Sequence, residues 1–357
     1  MKRASLWRPL PSKQVQCRLC SHFCLIAPGE TGKCGVRCNQ QGELQTLVDA
    51  KVAAAHLDPV EKKPLFHYLP GTTTFSFGTV GCNMTCAFCQ NASLSDTTRL
   101  REHRNSGDAD CESLAASIPG QRVTPRLLVD EALASGAASV AFTYSEPTVF
   151  YELMTATADL ALDAGLGTIL VSNGFQSREA LESLRPRIRA ANIDLKAFTE
   201  SFYHDVCGAA LKPVLDNLQR MVSYGWWLEI TTLVIPGLND SDAELQNIAR
   251  FIHDSLGPHV PWHISRFHPA HRLMDREITP RGTLDRACRI GRDAGLWFVY
   301  PGNIPGHPCE STMCPNCGAL FAERRGFSII PPERDTCSRC GTRIPGVGWT
   351  KEHHRCC

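Results

Sequence analysis

The sequence lacks any excess of charge: 37 Lys and Arg stand against 36 Asp and Glu, a formal net charge of +1. That excludes a global pull toward nucleic acid or an anionic membrane, while leaving local basic surfaces open. It also lacks a long apolar run, since none approaches the roughly 18–20 residues that a membrane helix needs. Residues Met1 to Gln16 are polar and hold no signal-peptide apolar region. Neither a membrane nor a nucleic-acid partner is expected, and the chain reads as cytoplasmic.

What the sequence has is size and cysteine. At 357 residues, 43% hydrophobic and 20% charged, it can bury a sizeable core as one large domain with appendages, or as two domains. Its 18 cysteines fall short of the ~8–10% typical of secreted disulfide scaffolds. A chain this long needs no staples. With no export signal, clustered cysteines point to metal rather than disulfides. Thirteen of the 18 lie in three clusters, over residues 17–38, 82–89 and 309–340.

From residue 74 a regular alternation begins. Apolar strand-like runs occupy 74–80, 138–144, 167–173, 191–197, 227–234, 262–267 and 296–303. Amphipathic helix-like stretches lie between most of them, at 124–135, 149–164, 177–189, 211–224, 241–256 and 280–294. Strands alternating with helices predict parallel βαβ units. Six or seven such units suit an α/β fold with an open or partial (β/α) barrel, whose chemistry sits at the C-terminal ends of the strands. Three segments are expected: a Cys-rich N-terminal segment over 1–70, the barrel over 71–305, and a Cys-rich tail over 306–357. Residues 97–122, polar and partly Gly/Ser-rich, read as an inserted loop.

The central motif follows the first barrel strand: Gly81-Cys82-Asn83-Met84-Thr85-Cys86-Ala87-Phe88-Cys89. Three thiolates spaced Cys-x3-Cys-x2-Cys can hold three irons of a [4Fe–4S] cubane. Ordinary electron carriers use four cysteines; three leave one iron open, as catalytic metal sites do. An open iron can chelate the amino and carboxylate groups of S-adenosylmethionine. One electron then cleaves the sulfonium, giving a 5′-deoxyadenosyl radical that abstracts hydrogen. The cofactor supplies that chemistry, and the protein supplies position and exclusion of water. The competing reading is a zinc site with a distant fourth ligand, or three core cysteines on one helical face.

The flanking clusters carry their own readings. Cys314-x2-Cys317 and Cys337-x2-Cys340 match a zinc-ribbon template, and each pair is followed by Gly, which suits a tight knuckle. Four thiolates around one ion can fold a tail with little core of its own, and zinc is expected over rubredoxin-like iron. At the other end Cys17, Cys20, Cys24, Cys34 and Cys38 offer five thiols. The first four suffice for zinc or for an Fe–S cluster, and spacing does not separate the two. Unligated buried cysteines are the plain alternative.

With these motifs in view, residues 17–348 resemble the AmmeMemoRadiSam system enzymes of the radical SAM superfamily, relatives of the pyruvate formate-lyase activating enzymes. The resemblance rests on CRLCSHFCLIAPGETGKCGVRCN, DPVEKKPLFHYLPG, GTVGCNMTCAFCQN, FTYSEPT, TLVIPGLND, PWHISRFHPA, YPGNIPGH and CPNCG. The length of the 97–122 insertion and the terminal KEHHRCC depart from it. The resemblance implies a [4Fe–4S] cluster, S-adenosylmethionine, and a low-potential electron donor of flavodoxin or ferredoxin type. It also implies Memo-type and AMMECR-type proteins as partners, with a glycyl-radical activase as the rival function. A non-catalytic metal-binding module is a third reading.

The resemblance extends to a cofactor pocket. Tyr144-Ser145-Glu146 would offer acceptors to the methionyl ammonium, a charge-assisted pairing; a plain turn is the alternative. Ser172 and Asn173 resemble groups that meet the ribose or methionine end, or else cap a turn. Asp194 and Lys196 share a strand face and would be cofactor- or substrate-side groups, or a buried structural ion pair. His263 would lie near the adenine.

Overall fold

The computed structural model describes residues 1–97 and 110–350. Its centre is one eight-stranded sheet whose strands lie in chain order: β1 Ala54–Pro59, β2 Thr73–Gly78, β3 Ser139–Phe142, β4 Gly167–Ser172, β5 Ala190–Asp194, β6 Trp227–Val234, β7 Trp262–Arg266 and β8 Val299–Gly302. From β2 to β8 every pairing is parallel, while β1 runs antiparallel along the β2 edge. Parallel strands covered on both faces need near-continuous apolar runs. Segments such as Gly167–Ser172 and Trp227–Val234 supply them and are almost wholly buried. The result is a partial (β/α) barrel, as the alternation predicts.

Six helices return the chain between parallel strands: α1 Pro125–Ala134, α2 Tyr151–Asp163, α3 Arg178–Leu184, α4 Leu211–Ser223, α5 Asp242–Phe251 and α6 Arg281–Asp293. Hydroxyl caps start three of them. Thr124, Ser177 and Ser241 accept from the backbone N–H three residues on, satisfying a donor the first turn leaves unpaired.

Two features differ from expectation. Residues 54–69, expected within the N-terminal segment, pack as part of the barrel. Beyond β1, Val60, Leu65, Tyr68 and Leu69 form a plug against Ala141, Ile169 and Ala190. Asn192 Nδ2 donates to the Pro64 carbonyl over 2.8 Å. The backbone amides of Phe66 and His67 donate to the buried Glu229 carboxylate, at 3.0 and 2.8 Å. Of the expected 97–122 loop, residues 98–109 lie outside the described residues. The remainder is ordered structure: helix Cys111–Ser117, capped by Asp110, and strand Gln121–Arg122, paired with Lys51–Val52.

Cys111 forms a disulfide with Cys38. This corrects the expectation that the clustered cysteines serve metal alone. It also removes the fifth thiol of the N-terminal set, leaving Cys17, Cys20, Cys24 and Cys34 free.

The Cys-rich tail seals the bottom of the barrel, at the N-terminal ends of the strands. Phe66, Phe298, Tyr300, Cys314, Ala322, Cys337, Ile344 and Trp349 share one small core. The buried Arg324 donates to the Phe66 carbonyl and stacks over its ring, 4.5 Å from the centroid. Backbone bonds Leu69 N to Val347 O (2.7 Å) and Val347 N to His67 O (2.8 Å) stitch tail to plug. The terminal KEHHRCC, 351–357, lies outside the described residues.

Candidate functional site

The loop carrying Cys82, Cys86 and Cys89 leaves β2 at the mouth of the barrel, opposite the sealed end. Its entry depends on Gly81, which holds φ +108°, and a Cβ there would lie 2.9 Å from Val36 Cγ1. Only glycine meets both demands without a shift. Backbone bonds then pin the loop. Thr85 N donates to Cys207 O and Ala87 N to Val206 O, each at 2.9 Å, while Arg272 N donates to Ala87 O at 2.9 Å.

The three thiols face one another's fields. Burial raises the Cys82 thiol above its ordinary value, and Glu146, Cys86 and Cys89 add to that. Cys207 was not anticipated from the sequence. It is buried, and its thiol hydrogen-bonds Cys86, which lowers the Cys86 thiol and raises its own. An isolated cysteine at the end of the short helical turn Tyr203–Cys207 carries no spacing signal, so the sequence could not flag it.

The expected pocket residues divide into three groups. Asn173 reaches the cysteines directly: its Nδ2 donates to Asn83 Oδ1 at 2.7 Å and lies 3.8 Å from Cys82 Sγ. Lys196 and Asp194 also arrive at the site. Lys196 Nζ pairs with Asp194 Oδ2 at 2.7 Å and lies 5.8 Å from the centroid of the Phe88 ring. Desolvation disfavours the Lys196 charge, but Asp194 and then Cys86 outweigh it and hold the ammonium well above its ordinary range.

Glu146 and Ser172 are close by but already engaged. The Glu146 carboxylate is buried and accepts from Thr148 N (3.0 Å), Thr148 Oγ1 (2.5 Å), Ser172 Oγ (2.8 Å) and Asn173 N (2.9 Å). A carboxylate offers about four lone-pair sites. Three of these donors fall on Oε1 and one on Oε2, so Glu146 clasps the ends of β3 and β4 together behind Cys82 while Oε2 keeps room for a further donor. Ser172 Oγ further accepts from Gln176 Nε2 at 2.8 Å.

Tyr144 and His263 point elsewhere. Tyr144 takes a left-handed turn, φ +69°, and its hydroxyl donates to Asp58 Oδ2 on β1 at 2.6 Å, away from the cysteine loop. Ser145 keeps a buried hydroxyl with no hydrogen-bond partner among the described residues. His263 is a correction. It is the second residue of β7, near that strand's N-terminal end, and its Nε2 meets the buried Glu229 carboxylate at 2.6 Å. Phe66 and Tyr300 pack on its ring. The histidine thus belongs to the sealed bottom of the barrel, and the structure does not bring it to the mouth. Alternation along a strand predicts which face a side chain takes but not its depth.

The other two cysteine groups sit at opposite ends. Among the described residues, Cys314, Cys317, Cys337 and Cys340 place all four sulfurs within 4.8 Å of one another. Two of the pairs are 3.6 Å apart. Four thiolates on one tetrahedral ion, each ~2.3 Å from it, stand about 3.8 Å apart, so the donor set fits a single ion. Cys17, Cys20, Cys24 and Cys34 instead line an enclosed cavity over the barrel mouth, beside Asn83 and Arg37.

An incomplete (β/α) barrel with three thiols in the loop after its first parallel strand defines the radical SAM class. The Radical SAM superfamily model matches residues 77–252, and the chain is a radical SAM enzyme. It belongs to the same family as the uncharacterized protein MJ0808 of Methanocaldococcus jannaschii, to which it is 37% identical over 348 residues, covering 96% of this chain and 99% of that protein. It is also similar to the benzylsuccinate synthase activating enzyme of Thauera aromatica, 27% identical over 153 residues, 41% of this chain and 45% of that one. A domain of pyruvate-formate lyase-activating enzyme from Bacteroides vulgatus superposes with a TM-score of 0.41 at 18% identity, covering 46% of this chain and 99% of that chain. Radical SAM membership implies a [4Fe–4S] cluster and S-adenosylmethionine. No described helix is long and apolar enough to cross a membrane.

Proposed function

We propose that Cys82, Cys86 and Cys89 hold a [4Fe–4S] cluster with one open iron, and that the chain uses it to cleave S-adenosylmethionine reductively and take hydrogen from a substrate. The observation that carries this reading is the three-thiol set at the barrel mouth, with the Lys196 ammonium held charged beside Cys86. When bound, the cluster and S-adenosylmethionine supply a one-electron reduction of a sulfonium and a carbon radical.

The protein's part is positional. Asn173 fixes the Cys82 end of the loop through Asn83. Glu146 holds the β3 and β4 ends in register behind it. Lys196 offsets thiolate charge, and the half-exposed Asp194 carboxylate is the acidic group best placed for a cationic part of the cofactor. In this reading Tyr144 and His263 are structural. Zinc in the C-terminal thiolate group would hold the bottom plug in place.

For the substrate, the family resemblance supports work beside Memo-type and AMMECR-type proteins. The similarity to the benzylsuccinate synthase activating enzyme supports a second reading, a glycyl-radical activase. The deciding experiment is anaerobic reconstitution, then dithionite and S-adenosylmethionine, with 5′-deoxyadenosine as the product measured. No product from a protein with an intact cluster would favour a non-catalytic metal-binding module. Deuterium transfer into 5′-deoxyadenosine from a labelled glycyl-radical enzyme would select the activase.

A further inference from the structure

The N-terminal cysteines stand apart from the three-thiol set of Cys82, Cys86 and Cys89. Cys17, Cys20, Cys24 and Cys34 line one enclosed cavity together with Leu19, Val149, Arg37 and Asn83. The segment that carries them is fixed over the barrel mouth. Ser21 N donates to Phe175 O at 3.1 Å and Ser177 N to Leu19 O at 3.1 Å, while His22 Nε2 meets the Asn83 carbonyl at 2.7 Å.

Three observations bear on the occupant. First, the sulfurs surround a common space without converging as the C-terminal four do, which alone among the described residues draw within 4.8 Å. Thiolates on one zinc ion must crowd to about 3.8 Å of each other. Thiolates on a cubane each take a different iron and stand farther apart.

Second, the walls supply N–H donors to sulfur, as cluster sites do. Lys33 N donates to Cys24 Sγ at 3.5 Å, and the buried Arg37 places Nη1 3.8 Å from Cys17 Sγ. Third, Asn83 is 3% exposed and its Nδ2 is buried with no partner among the described residues, while its Oδ1 is taken by Asn173. A buried unpaired donor is costly, and a sulfide or thiolate in the cavity would satisfy it.

We infer that Cys17, Cys20, Cys24 and Cys34 hold a second [4Fe–4S] cluster, with all four irons ligated by protein, touching the radical site through Asn83. Asn83 follows Cys82 directly in the chain, so one residue borders both metal sites. A fully ligated cluster has no open iron. It cannot bind S-adenosylmethionine as the radical site does, and it is suited to passing single electrons from a low-potential ferredoxin or flavodoxin type donor to the cluster beside it.

The test uses the full chain, reconstituted anaerobically with iron and sulfide, with metal analysis and Mössbauer spectroscopy. The wild type should carry about eight irons and about one zinc per chain, the iron all in [4Fe–4S] form. The triple variant Cys82→Ala/Cys86→Ala/Cys89→Ala, checked for folding by circular dichroism, should keep about four irons in one cluster whose spectrum ignores S-adenosylmethionine. About four irons and two zincs in the wild type would overturn the inference, as would a folded triple variant without iron. The result is independent of the proposed catalysis: a wild type with two clusters, neither responding to S-adenosylmethionine, would sink the catalytic reading and leave this one standing.

Discussion

Asn173 Nδ2 donates to Asn83 Oδ1 across 2.7 Å and lies 3.8 Å from Cys82 Sγ. Through this pair the end of a barrel strand grips the cysteine loop at its first thiol, and the same Asn83 lines the cavity of the N-terminal thiols. The two cysteine groups at the barrel mouth are thus joined by one buried side chain.

Asn173→Ala removes that grip and also the acceptor for Phe175 N, at 3.1 Å. Leaving buried partners unpaired costs ~1–3 kcal/mol. The expected outcome is a lower melting temperature and partial loss of iron on gel filtration. Unchanged iron content and melting would show that the pair does not hold the loop.

Lys196→Met deletes the cation held beside Cys86. A nearby positive charge favours the reduced, more negative cluster, so its loss should move the midpoint potential to more negative values. Cleavage of S-adenosylmethionine should fall about tenfold or more. Potentiometric electron paramagnetic resonance reads the first effect and 5′-deoxyadenosine the second, and Lys196→Arg should recover part of both.

Cys337→Ala breaks the C-terminal thiolate group, which fits a single tetrahedral ion. Zinc should be released and the melting temperature should drop, because structural metal binding is itself folding energy. Iron content and S-adenosylmethionine cleavage should stay largely intact, since the tail seals the end of the barrel opposite the cysteine loop. Parallel loss of iron and zinc would contradict separate sites.

Acid should loosen that sealed end. His67 is buried, and its Nδ1–H donates to the Pro345 carbonyl at 2.7 Å, leaving Nε2 to accept from Tyr300 at 2.7 Å. Burial lowers its pKa from 6.5 to about 4, so the fold holds it neutral where the unfolded chain binds a proton. Stability is therefore complete above pH 6.5 and falls as pH drops toward 4, by at most about 3 kcal/mol at ~1.4 kcal/mol per unit. Denaturant melts across this range should show the slope, and His67→Gln should flatten it.

Much of this was legible in advance. The seven parallel strands and six helices follow from apolar runs that a doubly covered sheet requires, and the convergence of Cys314, Cys317, Cys337 and Cys340 follows from their spacing. What escaped was whatever depends on depth or on distant partners. Residues 60–69, with Glu61, Lys62 and Lys63 among them, show no strand or helix period, so their role as a barrel plug was hidden. The Glu146 carboxylate accepts four internal donors, two from Thr148 just beyond it and two from Ser172 and Asn173 at the end of β4, a pairing no local pattern encodes. His263 meets Glu229 at the start of its strand, a depth that residue type does not encode, and Cys38 and Cys111 meet across 73 residues.

The most direct measurement is 5′-deoxyadenosine formed by the anaerobically reconstituted chain with dithionite and S-adenosylmethionine, beside Cys86→Ala. Product from the wild type, with none from a variant that has lost the barrel cluster, is the predicted result. A wild type that carries the cluster and forms no product, or a Cys86→Ala chain that still forms it, would contradict the account.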